Sequence, residues 1–454
     1  MVIWLGVGAQ LALVLVGLLV ARAALVTART PQGAAAWVVF LVSFPLLAIP
    51  MFALFSSVSR SGAPKGAQHA CPAPIATGTR LETLTGVVGA PVTEGNTATL
   101  LIDGGPTFDA IFGAIDQAQH EVLVQFYTIR DDTIGRALRD RLIAAARRGV
   151  DVRVLCDMVG SLFLGHRYAR ALRAEGVRFQ GIVAPRRVMG RIGLNLRNHR
   201  KTVIVDGAIG FTGGINVGDE YIDGGKDFDS WRDTHVRLRG PMVDQLRAIF
   251  AADWTDLTGD AVPPSANARP LVADDGGCRG VVAGFGATDT LERGSLLACG
   301  LIGLARTRLW LTTPYLVPHA DVATALKLAS LRGVDVRILI PRQSDNMLAW
   351  YASRSAARDL IAAGIEVHEY LPGFLHSKVM LIDDDIASVG TANLDIRSML
   401  LNFEQIALIE DTDFAQQMDL MFAKDFERAV PLQMPGPWHV RALAPVARLF
   451  GPLL

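Results

Sequence analysis

The stretch "NHRKTVIVDG", Asn198 to Gly207, decides the fold, because its spacing His-x-Lys-x4-Asp returns in "LHSKVMLIDD", Leu375 to Asp384. One copy of such a motif is typical of a solvated strand edge. Here the flanking sequence is repeated as well, since "ARRGVDVR" at residues 146–153 is echoed by "SLRGVDVR" at residues 330–337. The repeat therefore covers a whole structural unit and predicts two similar lobes.

The segments around the first motif alternate between strand and helix patterns. "TATLLID", "EVLVQFYTI" and "VDVRVLCD" have the apolar, β-branched character of strands, and residues 107–119 and 132–148 have helical periodicity. The second half repeats this order with "TRLWLTTPYLV", a helix at residues 320–331 and "RGVDVRILI". Strands separated by helices of this length predict an α/β fold with a largely parallel sheet.

The excess of apolar residues lies at the start of the chain. Val2 to Val20 and Ala34 to Phe55 are uncharged runs, and about 20 apolar residues suffice to cross a bilayer as a helix. A cleaved signal peptide is the alternative for the first run, but its opening lacks basic residues and a second run follows. We therefore predict a two-helix membrane anchor. Flanking positive charges are balanced, so they do not orient it.

Composition shifts divide the chain into six predicted parts. They are an anchor at residues 1–60, a linker at 61–98, a first lobe at 99–258, a linker at 259–280, a second lobe at 281–430 and a C-terminal segment at 431–454. The formal net charge is zero, whereas nucleic-acid binders are usually basic, so we predict no nucleic-acid partner. The four cysteines form no CxxC pair and indicate neither a zinc site nor a disulfide framework.

Each motif carries residues suited to a phosphate group. "TVIVD" and "VMLID" resemble strands, on which alternate side chains face one way, so the histidine and lysine of each motif are expected to project together. Seven residues after each aspartate comes a glycine-containing turn that ends in Asn216 or Asn393. Glycine permits close approach of backbone N–H groups to an anion, and asparagine adds a donor. We predict that both asparagines bind phosphate.

Two histidines in one site can divide the work of phosphoryl transfer. A neutral imidazole of His199 or His376 attacks phosphorus, while the other, protonated, donates to the leaving oxygen. Lys201 and Lys378 would neutralise charge that develops on the phosphoryl oxygens. This scheme requires neither a metal nor a cofactor, and a carboxylate behind each imidazole would fix its tautomer.

The chain resembles the phospholipase D superfamily, whose signature is the duplicated His-x-Lys-x4-Asp motif. The resemblance implies a pair of lobes related by a pseudo-twofold axis, with one active site between them. It implies a covalent intermediate on one histidine, which we assign to His199, with His376 as acid and base. Carboxylates some thirty residues downstream hold the histidines in that family, and the matching residues are Asp233, in "WRDTH", and Glu404, in "LNFE". Asp206 and Asp383 complete the catalytic signature but are expected to pair within their own lobes.

Within the superfamily the chain is similar to bacterial cardiolipin synthases with two transmembrane helices. The shared features include "DMVGS", "GFTGGINVGDEY", "TTPYLVP", "GTANLDIRSMLLNFE" and the closing "ARLFGPLL". The similarity implies phosphatidyl transfer between two phosphatidylglycerol molecules, giving cardiolipin and glycerol, in a multi-pass protein of the bacterial inner membrane. Alternatives are a lipid hydrolase or a transferase with another acceptor, such as phosphatidylethanolamine. More distant ones are a tethered nuclease and an inactive lipid-binding module.

Four further features of the sequence leave more than one role open. Gln125 stands where many relatives have glutamate, which puts any role of that carboxylate in doubt. His235, two residues after Asp233, is either a third catalytic histidine or a satisfied neighbour. "NMLAWY" at residues 346–351 and "WHVRALAPVARLF" at residues 438–450 suit either packing or contact with lipid.

Overall fold

The structure is a computed structural model that describes residues 15–25, 31–55, 78–182, 196–264, 277–289, 291–434 and 436–451. The N-terminal helices belong to one compact unit, and the two repeated halves belong to another.

The N-terminal unit contains three short helices, namely α1 (residues 15–25), α2 (Pro31–Ser43) and α3 (Pro45–Phe55). They pack around Leu41, and the ring of Trp37 meets that of Phe52 edge-on at 5.1 Å. Among the described residues, no helix combines the length and the apolar character that crossing a bilayer requires. Most of the first predicted span, residues 2–14, lies outside the described residues.

The first repeated half begins with a 3₁₀ turn at Leu81–Leu84. Its helices are α4 (Thr85–Val88), α5 (Gly104–Asp116), α6 (Thr133–Arg147), α7 (His166–Ala174), α8 (Glu220–Asp223) and α9 (Pro241–Thr258). Its strands are β1 (Thr93–Ile102), β2 (Glu121–Phe126), β3 (Asp151–Asp157), β4 (Arg178–Ile182), β5 (Arg197–Asn198), β6 (Thr202–Val205), β7 (Ile209–Gly213), β8 (Trp231–Arg232) and β9 (Thr234–Arg239).

The second half follows the same order. Its strands are β10 (Cys278–Phe285), β11 (Arg308–Thr312), β12 (Asp335–Pro341), β13 (Glu366–Tyr370), β14 (Phe374–Leu375), β15 (Val379–Ile382), β16 (Ile386–Gly390), β17 (Asn402–Glu410) and β18 (Ala429–Pro431). Its helices are α10 (Arg293–Leu304), α11 (Ala320–Leu331), α12 (Met347–Ile361), α13 (Ile396–Leu400), α14 (Thr412–Glu427) and α15 (Trp438–Arg448).

One continuous sheet joins the two halves. Its order is β18-β13-β12-β11-β15-β16-β17-β10-β1-β9-β7-β6-β2-β3-β4. Apart from the additional edge strand β18, the order is the same from the centre outward in both directions, with β9 equivalent to β17, β6 to β15, and β3 to β12. The central strands β1 and β10 pair antiparallel, with Thr93 opposite Gly280. This palindromic order is the pseudo-twofold relation that the repeat predicts.

The prediction of a largely parallel sheet is wrong, because most neighbouring strands pair antiparallel and only one part of each half is parallel. β2, β3 and β4 run parallel, as do β11, β12 and β13, whereas the motif strands β6 and β15 pair antiparallel with their neighbours. The predicted strand and helix order is therefore confirmed, but "EVLVQFYTI" is strand only to Phe126. The sheet also starts earlier than predicted, because β1 begins at Thr93 and β10 at Cys278, within the segments expected to be linkers.

A shared hydrophobic core fixes the two halves to each other. Side chains of α9, such as Leu246 and Phe250, and of α14, such as Phe414 and Phe422, join one buried cluster with strand residues from both halves. Packing of this density resists sliding of one half past the other. The motif segments of the two halves are thus held in a fixed relation.

Candidate active site

Short parallel strand pairs connect each motif to the opposite half. β5, just before His199, pairs with β17, so that the His199 N–H donates to the Phe403 carbonyl at 2.9 Å. In the equivalent place β14, just before His376, pairs with β8, and the His376 N–H donates to the Arg232 carbonyl at 2.8 Å. Glu404 lies on β17 itself, and Asp233 directly follows β8, so each histidine is fixed beside the other half's carboxylate.

The histidine–carboxylate pairs cross between the halves. His199 Nδ1 lies 3.0 Å from both carboxylate oxygens of Glu404, and His376 Nδ1 lies 2.7 Å from Asp233 Oδ2. Both carboxylates are fully buried, and the two histidines are 9% and 7% exposed. The sequence predicts the four residues but not the crossing, which depends on how the halves meet.

The carboxylates are ionised and hold each imidazole in one tautomer. Burial alone would raise their pKa values, but the contact with His199 and the Lys201 charge hold the pKa of Glu404 below its ordinary range, and the Lys378 charge and the contact with His376 do the same for Asp233. An ionised carboxylate accepts from Nδ1–H, which leaves the lone pair on Nε2. Each imidazole can therefore act as a nucleophile or base through Nε2.

Both histidines are neutral near pH 7. Burial lowers the pKa of His199 to about 4, with Glu404 opposing and Lys201 adding to the shift. Burial and the Lys378 charge lower the pKa of His376 to about 3. The sequence argument expects one of the two to be protonated, whereas the structure favours two neutral rings until an anion binds. A phosphodiester between them would raise both pKa values and allow one to take up a proton.

The two lysines lie within the buried site beside the histidines. Lys201 Nζ donates to the His199 carbonyl at 2.8 Å, and Lys378 Nζ donates to the His376 carbonyl. Burial lowers the pKa of Lys201 well below its ordinary value and that of Lys378 to about 8. Both lysines directly precede strands β6 and β15, so their position depends on these backbone bonds.

The two predicted phosphate-binding asparagines are buried, and a glycine before the first of them has another task. Asn216 Oδ1 accepts from the Thr128 N–H, and its amide donates to the Tyr221 hydroxyl at 2.7 Å. The Asn393 Oδ1 atom is buried and has no partner within the described part of the chain. A Cβ at Gly214 would lie 2.0 Å from Asp233 Oδ1. The glycine therefore makes room for the carboxylate, and the predicted anion-binding turn is wrong on this point, since the Gly214 N–H donates to the Thr234 carbonyl.

The structure does not bring Asp206 or Asp383 to the histidines. Each follows the far end of its motif strand, in a turn with a left-handed φ of 53° and 52° respectively. Asp206 accepts from the N–H groups of residues 119–121, and Asp383 from those of residues 306–308. These aspartates join the hairpin turn to the neighbouring strand. Their place among the catalytic residues is corrected to a structural one, in line with the expected pairing within each half.

His235 matches neither of its two predicted roles. Its side chain is 1% exposed, and neither ring nitrogen has a hydrogen-bond partner among the described residues. Burial lowers its pKa to about 3, although Asp233 opposes the shift. It is therefore a neutral, unsatisfied imidazole on the strand next to the site.

Gln125 takes part in a buried polar network. Its amide nitrogen donates to Asn198 Oδ1 at 3.0 Å and to Asp253 Oδ2 at 2.7 Å, and Asp253 also accepts from Arg200 at 2.6 Å. A glutamate here would place a second carboxylate against Asp253. The amide thus supports the strand that leads to His199.

Aromatic side chains, which sequence reasoning largely missed, surround the two histidines. Tyr127 meets the His199 ring at 5.0 Å, and Trp231 and Tyr221 lie 5.2 and 6.2 Å from the His376 ring. Thr391 donates to Glu404 Oε2 at 2.5 Å. Their position in the sequence could have identified two of these residues, because Trp231 is part of the motif "WRDTH" and Thr391 is part of "GTAN".

Comparisons with known proteins agree with this geometry. Residues 111–254 and 298–426 match the family model described as cardiolipin synthase, PLD-like domain. Cardiolipin synthase A of Pseudomonas putida strain W619 is 40% identical over 465 residues, which cover 97% of this chain and 96% of that protein. Cardiolipin synthase A of Pseudomonas aeruginosa is 39% identical, with coverages of 96% and 94%.

Solved structures show the same fold at lower identity. The crystal structure of phosphatidylserine synthase from Haemophilus influenzae Rd KW20 aligns with a TM-score of 0.64 and 15% identity, over 83% of this chain and all of that one. Polyphosphate kinase from Porphyromonas gingivalis aligns with a TM-score of 0.50 and 14% identity, over 78% of this chain and 52% of that one. With its duplicated motif, its palindromic sheet and these relatives, the chain belongs to the cardiolipin synthase family of phospholipase D-like proteins.

Proposed function

We propose that the protein is a phosphatidyltransferase that moves a phosphatidyl group from one phosphatidylglycerol to another, giving cardiolipin and free glycerol. The observation that carries the proposal is the pair of crossed histidine–carboxylate contacts in one buried site, beside two lysines. The names of the relatives, which match over nearly the whole chain, support the same product.

In the first step the Nε2 atom of His199 attacks the phosphorus of the donor lipid. A nitrogen–phosphorus bond forms as the bond from phosphorus to the glycerol oxygen breaks. His376, which takes up a proton once the anionic lipid is bound, gives that proton to the departing oxygen. The products of this step are free glycerol and a phosphatidyl group on His199.

In the second step the acceptor's glycerol hydroxyl reverses these events. His376, now neutral, takes the hydroxyl proton while the oxygen bonds to phosphorus and the nitrogen–phosphorus bond breaks. Lys201 and Lys378 stabilise the negative oxygens in both transition states. Because one phosphodiester replaces another, the reaction is nearly isoenergetic and runs in both directions.

Transfer requires that an alcohol rather than water meets the intermediate. The histidines are 9% and 7% exposed, which limits access of water. We further propose that the chain is a multi-pass protein of the bacterial inner membrane, held through residues 1–60. The support is the pair of uncharged runs at residues 2–20 and 34–55, which would keep the site among lipid hydroxyls.

The test is a product assay on the purified chain in phosphatidylglycerol vesicles. Cardiolipin and free glycerol should form in equal amounts, with phosphatidic acid as a minor product, and added glycerol should convert cardiolipin back to phosphatidylglycerol. Phosphatidic acid as the main product, unaffected by glycerol, would identify a hydrolase. Cardiolipin formed only with added phosphatidylethanolamine, with release of ethanolamine, would identify that lipid as the phosphatidyl donor and phosphatidylglycerol as the acceptor.

The roles of the histidines are tested separately with lipid labelled in its phosphate. His199→Ala should form no acid-labile, alkali-stable adduct on the denatured protein, whereas His376→Ala should form it slowly. An adduct on His199→Ala and none on His376→Ala would reverse the two roles.

A further inference from the structure

Exposed apolar side chains stand at the rim of the site in the first half. In the loop between β3 and α7, Leu162 and Phe163 are 72% and 82% exposed. The loop is held firmly, because Asp157 accepts from the Val159 and Gly160 N–H groups. Its Ser161 hydroxyl donates to the carbonyl of Tyr127, the residue whose ring meets His199. These apolar side chains are therefore presented by a fixed loop next to the catalytic histidine.

The second half has an apolar rim at the equivalent place. The connection from β12 to α12 contains Asp345, which accepts from the Tyr315 hydroxyl at 2.7 Å and lies near Lys378. Directly after it, Met347 and Leu348 are 60% and 37% exposed. Since β3 and β12 are equivalent strands, both loops leave the sheet at the end where the site lies.

The C-terminal helix adds a larger apolar surface. The inner face of α15 packs on α12 through residues such as Ala447, which shares a buried cluster with Ala352 and Val317. The outer face of α15 and the two residues after it leave five large apolar side chains exposed by 43–78%, namely Trp438, Leu443, Val446, Leu449 and Phe450. One face of α15 therefore packs on the second half, and the other face is apolar and uncovered within the described chain.

This helix ends next to the site. A Cβ at Gly451 would lie 3.1 Å from Ile396 Cδ1 and 3.4 Å from Val317 Cγ1. Ile396 begins α13, three residues after Asn393 of the site, and Val317 bridges to the neighbouring Asp395. The apolar outer face of α15 therefore continues to the rim of the site.

Several basic side chains lie around this surface. The described residues 436–451 contain His439, Arg441 and Arg448 and no aspartate or glutamate, and Arg448 contacts Asp359 of α12. Beside Phe163, the start of α7 exposes His166 and Arg167. Apolar side chains mixed with cationic ones suit the boundary between anionic headgroups and acyl chains.

We propose that the 158–165 loop, the start of α12 and the outer face of α15 form one docking surface for a bilayer that contains anionic phospholipid. We call it the rim surface. Docking there faces the mouth of the site towards the headgroups, so that lipid enters without leaving the bilayer. The choice of lipid as occupant follows from the basic side chains and from the proposed function, on which this inference rests for its substrate.

The first experiment measures docking without relying on activity. An environment-sensitive fluorophore is placed on the full-length chain through Phe163→Cys or Leu449→Cys. The control is Leu331→Cys, because Leu331 is 75% exposed but ends α11, at the opposite end of β12. Protein without an introduced cysteine gives the background from the native cysteines.

When vesicles containing phosphatidylglycerol are added, the emission maxima of the labels at 163 and 449 should shift to shorter wavelength. Lipid-borne quenchers should reduce their emission at least threefold, whereas the label at 331 should stay in water. The proposal would be overturned if the labels at 163 and 449 showed no more blue shift and no more quenching than the label at 331. So would a blue shift in detergent alone that grows with protein concentration, because a second copy of the chain would then cover the surface.

A second experiment separates docking from chemistry. Leu162→Ser/Phe163→Ser should lower cardiolipin formation on vesicles about tenfold, but change turnover of short-chain phosphatidylglycerol in solution less than twofold. Leu331→Ser should change neither rate. Equal loss on both substrates would mean that the loop supports the site and does not dock. If the unaltered protein formed no cardiolipin at all, the proposed function would be refuted. The fluorescence experiment would still decide whether the rim surface docks on a bilayer.

Discussion

Replacing Asp233 by asparagine should do more harm than replacing Glu404 by glutamine, although the two carboxylates have the same task. Asp233 Oδ1 accepts from the Thr234 N–H at 2.7 Å and Oδ2 accepts from His376 at 2.7 Å. The side chain of the Asp233→Asn variant has only one oxygen, and the backbone N–H holds it. The new amide nitrogen then faces His376 Nδ1, which can only accept from it, so the proton of that ring moves to Nε2.

The size of this effect follows from the two bonds involved. A hydrogen bond to a charged group contributes about 2 kcal/mol and a neutral one about 1 kcal/mol. The Asp233→Asn substitution removes the charged hydrogen bond, and the neutral hydrogen bond that forms instead stabilises the wrong tautomer of His376. The total change is about 3 kcal/mol. At about 1.4 kcal/mol per factor of ten, this is a loss of roughly 100-fold or slightly more.

Glu404→Gln keeps the required tautomer of His199. Asn402 donates to Glu404 Oε1 at 3.2 Å and would hold the glutamine oxygen there, still 3.0 Å from His199 Nδ1. Thr391, which now donates to Oε2, can turn to the Gln405 carbonyl at 3.2 Å and accept from the new amide. Only the charge is lost, which costs about 1 kcal/mol, or roughly fivefold.

The assay is the initial rate of cardiolipin formation by each variant in the same vesicles, with thermal unfolding to check that both fold. Equal losses, or a larger loss for Glu404→Gln, would refute the tautomer argument. A loss below threefold for Asp233→Asn would show that His376 does not depend on that contact.

Four further outcomes are expected. Burial lowers the pKa of Lys378 to about 8, so kcat/KM should fall as the pH rises through 8, and Lys378→Arg should move that limb upward in a rate profile from pH 6 to 10. Burial alone would raise the pKa of Asp383, but the Thr307 N–H and Arg80 outweigh it and lower the pKa well below 3.8. Its stabilisation is therefore present above that pH and lost on acidification, and Asp383→Asn should lower the melting temperature by several degrees with kcat changed less than threefold. His235, with a pKa lowered to about 3 by burial, takes up a proton below pH 6.5 only when unfolded, so His235→Leu should flatten the fall in melting temperature between pH 7 and pH 5. Because the proposed chemistry assigns every charge to side chains, cardiolipin formation should survive EDTA, and complete loss restored by one divalent ion would contradict it.

Local signals in the sequence predict most of the fold and of the site. Strands such as "VDVRVLCD" and the helix at residues 320–331 are specified by their own apolar periodicity, and the duplicated motif predicts the symmetry. Relations that depend on the meeting of the two halves could not be obtained in this way. The partner of His199 lies 205 residues away in Glu404, and the pairing of β5 with β17 leaves no pattern in either segment.

Other errors arose where one residue type serves two purposes. Glycine before Asn216 is equally compatible with an anion-binding turn and with close packing, and only the 2.0 Å approach to Asp233 decides for packing. The protonation state of the histidines depends on how deeply they are buried, and the sequence of the motif does not reveal burial. Asp206 belongs to the motif by spacing, but the length of β6 separates it from His199.

The crossed contacts make neither half sufficient alone. Cut between α9 and β10, the chain would yield two fragments, each with a histidine whose carboxylate sits on the other. Yet two copies of one fragment, joined edge to edge as β1 and β10 are, would supply each other with what each lacks. A functional centre of this kind can start as a self-associating single unit and become a fused duplicate without a change in its chemistry. After fusion the two copies can diverge in sequence, so that one half comes to bind the donor lipid and the other half the acceptor lipid.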